Sequence, residues 1–90
     1  MSTPLLRPQD HVIFSDLEDG EGVLVDLNAK RYYTLNETAT FVWQRLEKKL
    51  PAEEIVRELA DSYDVTPEHA AASVNQLLAQ LSQRNLLSNA

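Results

Sequence analysis

The hydrophobic pattern of this chain changes period at Asn36: apolar residues alternate before it and recur every three or four positions after it. A chain built this way places its strands first and its helices afterwards. Before the switch, His11-Val-Ile-Phe-Ser predicts a short strand, and Asp16-Leu-Glu-Asp-Gly-Glu-Gly gathers turn residues. Val23, Val25 and Leu27 share one face of a second strand, and Gly20 and Gly22 are expected in the turn that precedes it. Asn28-Ala29 marks another tight connection. Arg31-Tyr-Tyr-Thr-Leu35 has the aromatic and β-branched content of a third strand.

Beyond the switch, Asn36 is a fitting N-cap, and Ala39, Val42, Trp43, Leu46 and Leu50 lie on one stripe of a helix. Pro51 ends it and suits the first turn of a second helix, in which Ile55, Val56, Leu59, Ala60 and Tyr63 keep helical spacing. Asp64-Val65 interrupts the pattern. Thr66 caps a third helix with Pro67 at its first position, and Ala70, Val74, Leu77, Leu78 and Leu81 line it until Asn85, an acceptable left-handed terminator. Leu86 and Leu87 are expected to fold back onto the core. The predicted fold is α+β: a three-stranded antiparallel meander over about 11–35, then three helices over about 37–85, resembling a winged helix-turn-helix.

Residues 1–90 are expected to form a single domain, because a chain this short has one core and cannot divide it. Without cysteine it has neither disulfides nor thiolate metal ligands. The start, Met1-Ser-Thr-Pro-Leu-Leu-Arg-Pro, has no basic region followed by a long apolar run, and no other apolar run is long enough to span a bilayer. A cytoplasmic protein with no membrane partner is expected. The net charge of −6 opposes loose attachment to nucleic acid, whose affinity comes mostly from clustered Lys and Arg. That charge is uneven: residues 65–90 hold only Glu68 and Arg84.

No catalytic constellation emerges. His11 and His69 are the only imidazoles, neither has ligand-type partners at metal spacing, and both are expected to face solvent. The acidic run Asp16, Glu18, Asp19, Glu21 and Asp26 has the wrong register for a calcium loop and is expected to be a solvated hairpin tip. Two glycines with no helix after them do not make a phosphate cradle. Neither a metal, a cofactor nor enzymatic activity is therefore expected. A winged-helix DNA-binding regulator is the alternative, yet the exposed face of the third helix offers Glu68, His69, Ser73, Gln76, Gln80 and Gln83 and no cation before Arg84.

Recognition of a peptide remains. The third strand can be an edge, with unpaired N–H and C=O groups that another extended chain can complete. Lys30 and Arg31 beside it would discourage self-pairing and attract acidic residues. Alternation sends the Tyr32 and Tyr33 rings to opposite faces, so only one of them can serve the core.

The run Gly22-Val-Leu-Val-Asp-Leu-Asn-Ala-Lys-Arg-Tyr-Tyr-Thr-Leu-Asn-Glu-Thr-Ala39, then Trp43, the segment Glu53-Glu-Ile-Val-Arg-Glu-Leu-Ala-Asp-Ser-Tyr-Asp-Val65 and the closing Leu81 to Leu87 together resemble the PqqD-like family. The resemblance covers about Leu6 to Leu87. It implies a non-catalytic recognition element for ribosomally synthesised, post-translationally modified peptides. Such a domain binds the leader segment of a precursor peptide as an added strand and presents it to a maturation enzyme, such as a radical enzyme, a leader peptidase or a cyclase. Carried onto this chain, Lys30, Arg31, Tyr32, Tyr33, Thr34 and Leu35 would provide the main-chain pairing. Val74, Leu77, Leu78 and Leu81 would line the apolar wall. Members devoted to pyrroloquinoline quinone typically carry Cys-Asp-Gly after the first helix, where this chain has Glu47-Lys-Lys-Leu-Pro51. That departure favours another peptide class, such as lasso peptides or a radical-enzyme product. An unpaired edge also leaves a homodimer possible.

Overall fold

The computed structural model describes residues 6–89. Met1 to Leu5, expected to hold no targeting segment, lie outside the described residues. Strands β1 (Leu6–Pro8), β2 (Val12–Asp16), β3 (Gly22–Asp26) and β4 (Arg31–Leu35) precede helices α1 (Glu37–Glu47), α2 (Ala52–Tyr63) and α3 (Pro67–Gln83), and β5 (Leu87–Asn89) closes the order. The meander is β2-β3-β4, antiparallel throughout, with Ile13 opposite Val25 and Val25 opposite Tyr32.

The turn chemistry fixes this sheet. Asp26 is 3% exposed, and its Oδ1 accepts from the N–H groups of Asn28 and Ala29, both at 3.0 Å, so the carboxylate folds the β3–β4 connection onto itself. Asp26 is therefore a buried turn anchor rather than part of the solvated acidic tip. His11 is likewise not simply solvent-facing: its side chain is 22% exposed and its Nε2 lies 3.6 Å from Asp26 Oδ1. Lys30 takes a left-handed conformation, φ 58°, to enter β4.

At the other end, the chain makes a short 3₁₀ turn at Glu18–Gly20, with Gly20 at φ 80°. Gly22 is not in that turn. It is the first residue of β3, and a Cβ there would overlap the ring of Phe14, so glycine allows the aromatic ring of β2 to cross over its neighbour.

The helices begin and end where their caps dictate. Asn36 Oδ1 accepts from the N–H of Ala39 at 2.8 Å, and Thr66 Oγ1 accepts from the N–H of His69 at 3.2 Å with Pro67 opening α3. Pro51 sits one position earlier than a first-turn residue, as the N-cap of α2. Asp64 and Asn85 turn left-handed after α2 and α3, at φ 53° and 58°.

The three helices and one face of the sheet share a single core, with α2 packed on α1 and α3. Trp43, Val42, Leu46, Ile55, Leu59 and Val74 form the centre of the core with Leu24 from β3, each 2% exposed or less. The face of β3 that carries Val23, Val25 and Leu27 turns the other way, and Leu27 is 53% exposed. Leu86 and Leu87 do return to the core. They also bring a second, two-stranded sheet that the hydrophobic pattern does not announce: β1 pairs antiparallel with β5, Leu6 opposite Asn89. Three-residue strands are too short to carry a period, and the Gln9 side chain secures them by donating to the carbonyl of Leu87 at 3.3 Å.

Candidate peptide-binding edge

β4 is the last strand of its sheet, and among the described residues no strand pairs with its outer side. The phase of the ladder decides which of its groups are free. Leu27 N–H donates to His11 C=O at 2.9 Å and Leu17 N–H donates to Glu21 C=O at 2.8 Å. In an antiparallel ladder these pairs alternate, so Val23, Val25 and Leu27 direct their main-chain groups at β2. Gly22, Leu24 and Asp26 then direct theirs at β4, where they meet Leu35, Tyr33 and Arg31. Tyr32 and Thr34 are left with both N–H and C=O on the open edge. Of the six residues expected to provide pairing, these two present the outward-facing groups within the strand.

The side chains divide the same way. Tyr33 packs against the core and Leu35 is 6% exposed, while Tyr32 points outward and is 73% exposed. Arg31 is also exposed, and with Lys30 it forms a positive end at the start of β4.

Alongside β4 runs α3, located by two contacts. Near Leu35, a cavity of about 260 Å³ is lined by Asn36, Ala39, Val42, Ser73, Gln76 and Leu77, with Thr38 completing it. Toward Arg31, the Arg84 guanidinium lies over the Tyr33 ring, 4.9 Å from its centroid. These contacts set Ser73 and Leu77 toward the C-terminal end of β4 and Arg84, just past the end of α3, toward its middle.

This changes the composition of the expected apolar wall. Val74, Leu78 and Leu81 belong to the core, at 0%, 9% and 3% exposure, and only Leu77 is partly exposed and lines the cavity. Helical geometry explains the division: Ala70, Val74, Leu78 and Leu81 keep one stripe against the helical core, and Leu77 is rotated about 100° from Leu78. Sequence reasoning missed Asn36, Thr38, Ser73, Gln76 and Arg84 as groove residues. The positions of Ser73 and Gln76, four and one before Leu77, were the available signal. A second cavity, lined by Leu17, Glu21, Thr34, Leu35 and Asn36, lies on the other side of the β4 terminus.

The same geometry argues against reading DNA. Arg84 is the only cation of α3 and its flank, and it is engaged with Tyr33. Among the described residues no group of three or more His, Cys, Asp or Glu side chains could hold a metal ion, and no helix is long and apolar enough to cross a membrane.

A small α+β domain with an open sheet edge beside a partly apolar helix has the architecture of a recognition module. The model of the coenzyme PQQ synthesis protein D (PqqD) family matches residues 21–87, and the chain belongs to that family. No protein of curated function matches the sequence significantly. Among solved structures, it is similar to TbiB1 in complex with the TbiA(beta) leader peptide, with 27% identity, a TM-score of 0.86, and 91% of this chain and 94% of that one covered. It also shares the fold of lasso peptide synthetase B1 complexed with the leader peptide, at 23% identity and a TM-score of 0.83, covering 92% of this chain and 96% of that one.

Proposed function

We propose that this protein is a non-catalytic adaptor that binds the leader segment of a ribosomally synthesised precursor peptide and presents it to a maturation enzyme. The observation that carries this reading is the open edge of β4, with the main-chain groups of Tyr32 and Thr34 turned outward beside α3. An extended leader adds as a fourth strand. Its backbone completes the hydrogen bonds of Tyr32 and Thr34, and alternate side chains enter the groove toward Leu77, Ser73 and Asn36. Lys30 and Arg31 steer acidic leader residues toward the start of the strand. Membership of the PqqD family and the likeness to two proteins solved with leader peptides support it. The substitution of Glu47-Lys-Lys-Leu-Pro51 for Cys-Asp-Gly, together with the lasso-peptide relative, points to a lasso-type precursor rather than a quinone precursor.

The test is titration of the precursor peptide encoded beside this chain, followed by amide NMR. Shifts should concentrate at Lys30–Asn36 and at Ser73, Leu77 and Arg84. Shifts confined to α2 would refute the groove.

A further inference from the structure

Four large apolar side chains are exposed among the described residues: Ile13 at 48%, Leu17 at 47%, Leu27 at 53% and Tyr32 at 73%. All four lie on one surface. Ile13, Val25 and Tyr32 stand opposite one another across β2, β3 and β4, and alternation places Leu17 and Leu27 on the same side, just beyond the ends of β2 and β3. This is the face turned away from the helices. At one end of it Glu21 lies beside Leu17 and Thr34, whereas Asp16 lines a cavity with Glu37 and Phe41 on the helix side.

We infer that this outer face is the docking surface for the maturation enzyme, which meets it with an apolar patch. The inference rests on the proposed leader binding. Two arguments choose the occupant. The first is size: seven residues along three strands give a face of about 20 by 14 Å, on the order of 300 Å². A stable dimer needs roughly 800 Å² per partner, so a second copy is poorly matched to this face, whereas a transient enzyme contact suits it.

The second is continuity. A leader strand added to β4 extends this same face, because leader residues opposite Tyr32 and Thr34 project their side chains on the outer side. An enzyme seated there touches adaptor and leader together. The peptide then tethers the two proteins, and a weak patch becomes sufficient through effective concentration.

The experiment uses the precursor peptide and the maturation enzyme encoded beside this chain. Ile13→Ser and Leu27→Ser are tested singly and together. Leader affinity, read by fluorescence anisotropy of a labelled leader, should stay within twofold of wild type. The adaptor concentration that half-saturates processing should rise tenfold or more, with the rate at saturation unchanged. An unchanged half-saturating concentration overturns the docking surface while leaving leader binding intact.

Should the double variant melt early by circular dichroism, methyl NMR of the wild-type protein decides. Enzyme addition should broaden Ile13, Val23, Val25 and Leu27 and spare Ile55 and Val56; the reverse pattern overturns the inference. If wild type sediments as a dimer at assay concentration and the double variant as a monomer, the face belongs to a second copy and the enzyme assignment fails. A wild-type protein that does not bind the leader refutes the adaptor reading instead, and methyl broadening by the enzyme alone still judges the face.

Discussion

The Arg84 guanidinium covers the ring of Tyr33 at 4.9 Å, joining the end of α3 to the inward side of β4. Tyr33 thus belongs to the wall that holds the groove in shape, and the adjacent Tyr32 and Thr34 are free to pair outward. A cation over an aromatic ring at a partly exposed site contributes about 0.5–1 kcal/mol. Arg84→Ala should lower stability by no more than that in urea titration while weakening the leader several-fold. Equal leader affinity would show that the helix end does not shape the groove.

Proline substitution separates the two sides of β4. Thr34→Pro removes an edge-facing N–H, so it should abolish leader binding at nearly wild-type stability. Tyr33→Pro removes an N–H that faces β3 and should destabilise the sheet by about 3 kcal/mol. Thermal melts and anisotropy titrations of both variants check the ladder phase, and a reversed pattern would place the free groups on Arg31, Tyr33 and Leu35.

On α3, neighbouring leucines should behave differently. Leu81→Ala empties core volume and should cost about 2–5 kcal/mol in urea unfolding. Leu77→Ser should cost little stability but about tenfold in leader affinity, or roughly 1.4 kcal/mol. Similar stability losses in both would mean that Leu77 is a core residue.

Buried Asp26 should prove structural. Asp26→Ala deprives the N–H groups of Asn28 and Ala29 of their acceptor and should cost about 1–3 kcal/mol. Asp26→Asn keeps a side-chain oxygen and should recover much of it. Equal destabilisation by both would assign the effect to the charge beside His11 instead.

Tyr63 predicts the alkaline limb of stability. Burial raises the pKa of its hydroxyl, and the Glu37 charge and a hydrogen bond donated to Glu37 Oε1 at 3.4 Å raise it further, with Arg45 opposing. The folded state therefore holds this proton more tightly than the unfolded chain, whose tyrosine ionises near pH 10. The stabilisation is complete below about pH 10 and is lost as pH rises through the raised value. Urea midpoints of wild type and Tyr63→Phe should run parallel below about pH 10 and converge above it. Parallel curves throughout would remove Tyr63 from the account.

Much of the fold was legible because local signals agreed with one another. Asn36 and Thr66 cap helices where the hydrophobic period changes or resumes, and Asn85 ends α3 as its backbone preference allows. The unpaired edge followed from the order of the strands alone. The division of α3 between core and groove did not, because Leu77 and Leu78 are equally apolar and only the placement of Tyr33 and Asn36 distinguishes them. Gly22 resembled a turn residue until Phe14 was found to need its missing Cβ. The β1–β5 pair was hidden for a different reason: its partners are far apart in the chain, and neither strand is long enough to show a pattern.

That pairing has a practical consequence. Leu6 and Asn89 stand opposite each other, so the chain enters and leaves the described fold about 5 Å apart, the spacing of paired residues in an antiparallel ladder. A protein loop could be cut and rejoined through this unit with almost no gap to span, which makes the domain suited to transplantation as a cassette into the surface of an unrelated host.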